Sequence, residues 1–181
     1  MEEVILVDSD DRELGSAEKL RAHEEGLLHR AFSVFIFNSD GRMLLQRRAL
    51  GKYHSAGLYT NACCSHPRPG ERTIEAAHRR LQEEMGFDCD IEFIFPLVYR
   101  ADLDHGLIEN EYDHVFVGRY DGEIHNDPSE VDEYQWIEHD RLKKWMNDKP
   151  DDFTVWFSLS AVKVMDEYRG EGENESESDS A

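Results

Sequence analysis

Two glutamates have the spacing of a shared metal site. Glu109 and Glu111 are two residues apart, so on a strand both side chains would point to the same face. Two carboxylates need this arrangement to hold one ion, and hard divalent cations such as Mg²⁺ prefer oxygen ligands of this kind. The chain also has 9 histidines, but an isolated histidine is more often a surface residue than a ligand.

A second group of carboxylates lies on a predicted helix. Apolar residues recur at helical spacing between positions 74 and 85, and Gly86 is well placed to end the helix. Glu83 and Glu84 follow Arg79 and Arg80 by four residues each, and such pairs stabilise a helix by about 0.2–0.5 kcal/mol. Taken alone, they fit equally well a set of solvated ion pairs or a Mg²⁺ site in which Glu84 and substrate phosphates share the ion.

Periodicity and turn residues predict the elements that position these groups. A short helix is expected over 16–24 with Ser16 as its N-cap, and Thr73 is expected to cap the helix that carries Glu83 and Glu84. Strands are predicted at 4–7 (an edge strand), 31–37, 43–45, 57–64, 91–99, 112–120 and 134–137, and further helices at 140–146 and 153–168. Strands mixed with a few helices indicate an α/β domain, with a mixed sheet covered by helices.

Composition limits the location and the partners of the chain. The formal net charge of the 181 residues is -20, which argues against binding to nucleic acid. No apolar run approaches the roughly 20 residues that span a bilayer, and the N-terminus lacks the basic and apolar regions of a signal peptide. We therefore expect a cytoplasmic protein with no membrane partner, either a monomer or a weak dimer. The polar, acidic composition after position 168 predicts one domain over 1–168 and a disordered acidic tail over 169–181.

The predicted helix that carries Glu83 and Glu84 resembles, together with the loop before it, a Nudix box. The resemblance is carried by Ser65, Glu71, Arg79, Glu83, Glu84 and Gly86. It implies a Nudix-like mixed β-sheet sandwiched between helices. Ser65 stands where the box usually begins with glycine, and Arg80 stands where the hydrolases place a glutamate that completes their metal cluster. A guanidinium group in that position removes a metal ligand and adds an anion-binding group, which argues against ordinary Nudix hydrolysis.

Three further motifs make the resemblance specific. They are TNACCSHP at 60–67, GLIENEY at 106–112 and RAHEEGLLHRAFS at 21–33. Together around a Nudix-like helix, they resemble the type 1 isopentenyl diphosphate isomerases over about residues 4–168. The resemblance implies an enzyme of isoprenoid biosynthesis that interconverts isopentenyl diphosphate and dimethylallyl diphosphate. It would add a proton on one face of the substrate and remove one on the other, through a tertiary carbocation. Because the chain is so acidic, we expect local cations to dominate inside the site.

The resemblance implies two metal sites. The first is octahedral, suits Mn²⁺, Zn²⁺ or Mg²⁺, and has as its ligands His23, His29, His66, Glu109 and Glu111. The second is a Mg²⁺ that bridges to the diphosphate and is held by Glu84 and the backbone carbonyl of Cys64. The remaining histidines match no metal motif and are expected to have ordinary roles; they are His54, His78, His105, His114, His125 and His139.

The resemblance also implies the reacting groups. Cys64 matches the catalytic thiol, and Glu111, assisted by Tyr99, matches the acid–base group on the opposite face. The residues that match the substrate-binding positions are Lys19, Arg48, Lys52, Arg80 and Trp156, of which Trp156 lies beside the alkene. Core packing for the aromatic residues and surface charge for the cations are the ordinary alternatives. The cysteine count is odd and two cysteines are adjacent, which indicates free thiols, with Cys63 and Cys89 as small apolar residues.

Two other functions stay open. A Nudix pyrophosphohydrolase shares the chemistry of Mg²⁺ and a diphosphate, and release of phosphate would identify it. A metal-binding module without catalysis would explain the histidines and glutamates, but it leaves Cys64 and the cations without a role.

Overall fold

The computed structural model describes the backbone of residues 1–177 and the side chains of residues 1–168. The strands of this part are β1 (Glu3–Val7), β2 (Glu13–Glu18), β3 (His29–Phe37), β4 (Met43–Arg48), β5 (Tyr59–Thr60), β6 (Cys63–Ser65), β7 (Ile91–Asp102), β8 (Ile108–Arg119) and β9 (Val131–Ile137). Its α-helices are α1 (Lys19–Glu25), α2 (Thr73–Met85), α3 (His139–Asp148) and α4 (Val155–Glu177). No helix of the described part is long and apolar enough to cross a membrane.

The strands form one mixed sheet around β3. One path through it runs β2-β1-β3-β4-β5, while β8 lies parallel to β3, β7 pairs with β8, β6 pairs with β3, and β9 pairs with β4. In this register Glu111 of β8 lies opposite His29 of β3 on one side and opposite Tyr99 of β7 on the other. The long β3–β8–β7 ladder therefore brings together residues that are distant in the sequence.

Helices cover both faces of the sheet. Phe35 of β3 packs with Phe157 of α4 in one core cluster, whereas its neighbour Val34 packs with Leu81 of α2 in another. This alternation follows from the two-residue period of a strand. The predicted α/β architecture, a mixed sheet sandwiched between helices, is confirmed.

Several local predictions were wrong. Residues 13–18 form β2 rather than the start of a helix, so α1 begins at Lys19 and its N-cap is Glu18 rather than Ser16. β1 pairs with both β2 and β3, so it is not an edge strand. Thr73 is the first helical residue of α2, with Arg72 at the N-cap. The predicted strand over 57–64 is two short strands, β5 on β4 and β6 on β3.

The predicted acidic tail falls largely on residues that are not described. α4 extends to Glu177 and so runs into the segment 169–181. The side chains of that segment and the backbone of 178–181 lie outside the described residues. The disorder of the tail therefore stays a prediction.

Gly86 ends α2, as predicted, and we expect it to be important for stability. Its φ is 71°, and a Cβ atom there would lie 2.3 Å from the backbone oxygen of His125. Gly86→Ala is therefore expected to lower the free energy of unfolding by about 2 kcal/mol or more, measured by urea denaturation. Gly41→Ala is the matched control, because Gly41 also has a positive φ but has nothing within 4 Å of its Cβ position. Equal losses in the two variants would contradict the steric explanation.

Candidate active site

Glu111 is the centre of the buried polar cluster. Tyr99 Oη donates a hydrogen bond of 2.9 Å to Glu111 Oε2. On the other carboxylate oxygen, His66 Nε2 lies 3.0 Å from Oε1 and His29 Nε2 lies 3.5 Å from it. One carboxylate is thus held by a phenol on one side and faces two imidazoles on the other.

Backbone carbonyls orient two of the histidines. Nδ1 of His23 lies 2.7 Å from the carbonyl oxygen of Lys19, and Nδ1 of His29 lies 2.8 Å from that of Leu27. A carbonyl can only accept, so Nδ1 carries the hydrogen in each ring, and in the neutral ring Nε2 has the lone pair with which histidine binds a metal. Gly26, in the left-handed conformation, ends α1 between the two histidines and turns the chain into β3.

These residues fit a divalent metal ion. His23, His29, His66 and Glu111 each offer a ligand atom within 4.8 Å of the others. Among the described side chains, Nε2 of His23, Nε2 of His29 and Oε2 of Glu109 are buried without a hydrogen-bond partner. Buried polar atoms are normally satisfied, and an ion bound among them would satisfy all three. Glu109 joins the cluster through Oε2, which lies 3.5 Å from His23 Nε2.

Burial also favours the charge states that a metal needs. It lowers the pKa of His66 to about 4 and also lowers the pKa of His23, so both imidazoles are neutral at pH 7. Burial together with the neighbouring Glu111 raises the pKa of Glu109 well above its usual value. Two carboxylates packed this closely in the interior require a cation between or beside them to be ionised together.

Three polar side chains surround the thiol of Cys64. The indole nitrogen of Trp156 donates to Sγ at 3.0 Å, and Sγ lies 3.0 Å from Oδ1 of Asn61 and 3.6 Å from Oγ of Ser33. Burial raises the pKa of this thiol to about 12. The neighbouring Cys63 is fully buried and packs with the cluster under α2, as a small apolar residue would.

A cavity of about 100 Å³ lies between Cys64 and the buried carboxylates. Cys64, Glu111 and Trp156 all contribute to its lining. Arg48 lies over the ring of Trp156, with the guanidinium carbon 5.4 Å from the ring centroid. The lining thus combines two groups capable of proton transfer, an aromatic face and a cation.

Four cations lie around the same cavity, but they do not dominate it. The lining contains Lys19, Arg48, Lys52 and Arg80, together with Glu2, Glu84, Glu109, Glu111 and Glu130. The expectation of a net positive site was therefore wrong for the protein side chains alone. Carboxylates exceed cations here because several of them have the positions of metal ligands, and divalent ions would reverse the balance.

Three of these cations are paired with carboxylates. Lys19 Nζ lies 3.2 Å from Glu2, Lys52 Nζ 2.5 Å from Glu130, and Arg80 Nη2 2.7 Å from Oε1 of Glu84. The other oxygen of Glu84, Oε2, is buried without a partner, and burial raises the pKa of Glu84. This free oxygen fits the expected Mg²⁺ ligand.

His54 is the residue that sequence reasoning missed most clearly. It was expected to have an ordinary role, yet its Nε2 lies 3.5 Å from Oε1 of Glu109, and it forms a second group of possible ligands with His23 and Glu109. Burial lowers its pKa to about 3. No spacing rule relates position 54 to position 109, so only the folded loop between β4 and β5 reveals the contact.

Comparison with known proteins identifies the family. The NUDIX domain model matches residues 27–157. The isopentenyl-diphosphate Delta-isomerase of Burkholderia multivorans (strain ATCC 17616 / 249) is 56% identical over 156 residues, which cover 86% of this chain and 89% of that protein. The chain belongs to the isopentenyl-diphosphate Delta-isomerases of the Nudix family. The isopentenyl-diphosphate Delta-isomerase of Serratia proteamaculans (strain 568) is 52% identical over 164 residues, 91% of each chain.

A solved structure of low sequence identity shares the fold of this chain. The crystal structure of DR0079 from Deinococcus radiodurans matches with a TM-score of 0.67 at 18% identity, over 81% of this chain and 90% of that one. The predicted membership of the isomerase family and the predicted fold class are therefore both confirmed. In this isomerase, Arg80 and Glu84 both lie on α2, and the guanidinium of Arg80 donates a hydrogen bond to Glu84.

Proposed function

We propose that this protein interconverts isopentenyl diphosphate and dimethylallyl diphosphate, by adding a proton on one face of the carbon skeleton and removing one on the other. The observation that carries the proposal is the cavity that Cys64 and Glu111 share, with Trp156 beside them. Relatives that are 45–56% identical over most of the chain carry the name of this activity.

The diphosphate binds at the mouth of the cavity. Lys19, Arg48, Lys52 and Arg80 contact its oxygens, and guanidinium groups suit this bidentate role. The substrate displaces Glu2 from Lys19 and Glu130 from Lys52. The Glu2 side chain is 55% exposed, so its ion pair costs little to break, whereas the side chains of Lys52 and Glu130 are only 19% and 26% exposed. Binding energy from this remote group can be used to hold the alkene in the cavity.

The chemistry takes place between the thiol and the carboxylate. An alkene is a weak base, so protonation of the substrate requires a well-placed acid and gives a tertiary carbocation. One of Cys64 and Glu111 delivers the proton and the other removes one from the opposite face, and their roles exchange when the reaction runs backwards. Tyr99 holds Oε2 of Glu111 in place, and the face of Trp156 stabilises the cation by about 2 kcal/mol when water is excluded.

Two divalent ions complete the site. His23, His29, His66, Glu109 and Glu111 would hold one of them, Mn²⁺, Zn²⁺ or Mg²⁺, and Glu84 with the carbonyl of Cys64 would hold Mg²⁺. When bound, these ions offset the negative charge of the carboxylates and of the diphosphate. The protein itself orients the carboxylate and the thiol.

Hydrolysis of a diphosphate is the weaker alternative. The guanidinium of Arg80 donates a hydrogen bond of 2.7 Å to one oxygen of Glu84 and another of 2.7 Å to Glu83. A third carboxylate at position 80 would have completed a cluster of metal ligands there, and an arginine cannot replace it. The cation instead faces the region in which the substrate phosphates bind.

The small-molecule substrate is the only partner that this function requires. A cytoplasmic location, a monomeric or weakly dimeric state and the absence of nucleic-acid or membrane partners stay predictions from the sequence.

Product analysis tests the proposed function. The protein is incubated with isopentenyl diphosphate and Mg²⁺, and the mixture is followed by proton and phosphorus NMR. We expect dimethylallyl diphosphate to form with no inorganic phosphate or monophosphate. Release of phosphate would support the hydrolase instead, and metal binding without any product would support a metal-binding module.

A further inference from the structure

Hydrogen bonds fix the orientation of the side-chain amide of Asn61 beside the thiol. It is fully buried, and its amide nitrogen donates to the backbone oxygens of Val34 and Cys63, both at 2.9 Å. A carbonyl can only accept, so these two bonds fix which end of the amide is nitrogen. Oδ1 therefore faces the sulfur of Cys64, 3.0 Å away.

Hydrogen bonds between side chains link Asn61 through two threonines to the start of α4, which also contacts Cys64. Thr60 Oγ1 donates to Oδ1 of Asn61 at 2.9 Å, and Thr154 Oγ1 donates to Thr60 Oγ1 at 3.0 Å. Thr154 immediately precedes α4 and is two residues before Trp156, whose indole donates to the sulfur at 3.0 Å. The loop before β6 and the first turn of α4 thus hold the thiol from two sides.

The two shortest contacts of the sulfur, each at 3.0 Å, differ in direction. The indole of Trp156 can only donate, and the oriented amide oxygen of Asn61 can only accept. The bond to Asn61 is therefore made by the hydrogen of the thiol, while a sulfur lone pair receives the indole N–H. Oγ of Ser33, 3.6 Å from the sulfur, can either donate to it or accept from it.

We propose that Asn61, supported by Thr60, is a positioning residue for the Cys64 thiol, and this inference rests on the proposed isomerase function. Asn61 and Thr60 are absent from the cavity lining, so Asn61 acts through the sulfur and not on the substrate. Displacing a reacting group by about 1 Å can lower a rate about 10²-fold. An effect of this kind lowers kcat and leaves the binding of the diphosphate unchanged.

The test compares Asn61→Ala and Thr60→Val with the wild-type protein. We expect Asn61→Ala to lower kcat about 100-fold with an unchanged KM for isopentenyl diphosphate. Thr60→Val keeps the amide and both of its bonds to the backbone, so it should fold even where the alanine variant does not. We expect it to lower kcat about fivefold, again with an unchanged KM.

Gln46→Met is the matched control. Gln46 is buried and donates to the backbone oxygen of Ala62 at 2.8 Å. Ala62 directly follows Asn61 in the chain, but Gln46 has no hydrogen bond to the sulfur. Gln46→Met should lower the melting temperature about as much as Asn61→Ala does, while kcat stays at the wild-type value. Wild-type kcat in both Asn61→Ala and Thr60→Val, or an equal loss in Gln46→Met, would overturn the positioning role. Failure of the wild-type protein to isomerise the substrate would instead overturn the proposed function.

Discussion

Cys64→Ala is expected to lower kcat by about 10²–10⁴-fold, the range that one positioned proton-transfer group supplies. Cys64 lines the cavity, and its neighbours Asn61 and Trp156 neither gain nor lose a proton near neutral pH. The variant keeps its fold, because the change removes one atom at a cavity edge. It also keeps the proposed Mg²⁺ ligand at this position, which is the backbone carbonyl. Steady-state rates, circular dichroism and metal analysis check these three points.

Cys89→Ala is the control for loss of a thiol. Cys89 is half-buried between α2 and β7 and does not line the cavity. Its replacement should leave kcat unchanged. A Cys64→Ala variant that retains about a tenth or more of the wild-type kcat would be outside the range for a proton-transfer group and would remove Cys64 from the reaction.

Glu111→Gln is expected to lower turnover strongly for two separable reasons. Its carboxylate faces His29 and His66, so an amide should weaken binding of Mn²⁺ at the first metal site. It is also the proposed acid–base group opposite the thiol, and an amide cannot exchange a proton. We expect kcat to fall by about 10²–10⁴-fold even when Mn²⁺ is saturating. Calorimetric titration with Mn²⁺ and rates at saturating Mn²⁺ measure the two effects.

Glu109→Gln separates these effects. Glu109 is the other carboxylate of the same site and contacts His23 and His54, but it has no proposed proton-transfer role. Its Mn²⁺ affinity should fall as in Glu111→Gln, whereas saturating Mn²⁺ should restore most of its turnover. Equal recovery of both variants would show that Glu111 is only a ligand.

The sequence predicted the parts of the fold that depend on local pattern. The apolar stripe of α2 and the glycine after it gave the end of that helix at Met85. Residues 31–37 alternate between two buried faces, and strand β3 forms there. Residues 57–64 were assigned to one strand because local propensity does not reveal that β5 and β6 pair with different partners. Residues 13–18 pair with β1, and this contact overrides the helical pattern that begins at Ser16.

The same limit applies to the site. The spacing of Glu109 and Glu111 was sufficient to place both carboxylates on one face of β8, and the family resemblance suggested His23, His29 and His66. His54 was not recognised, because its contact with Glu109 depends on how the loop after β4 folds. Asn61 lies within a recognised motif, but its hydrogen bonds show only in the structure. The excess of carboxylates over cations in the cavity also depends on Glu2 and Glu130, which carry no motif.

The two-sided mechanism is tested most directly by following hydrogen in a single turnover. Enzyme in excess over isopentenyl diphosphate is quenched after one turnover in D₂O, and the product is analysed by mass spectrometry and proton NMR. Because the thiol and the carboxylate are separate groups that both exchange with solvent, the new methyl group should contain one deuterium atom. Protium transferred from one carbon to the other within the same substrate molecule would show that a single group serves both steps, and would contradict the account.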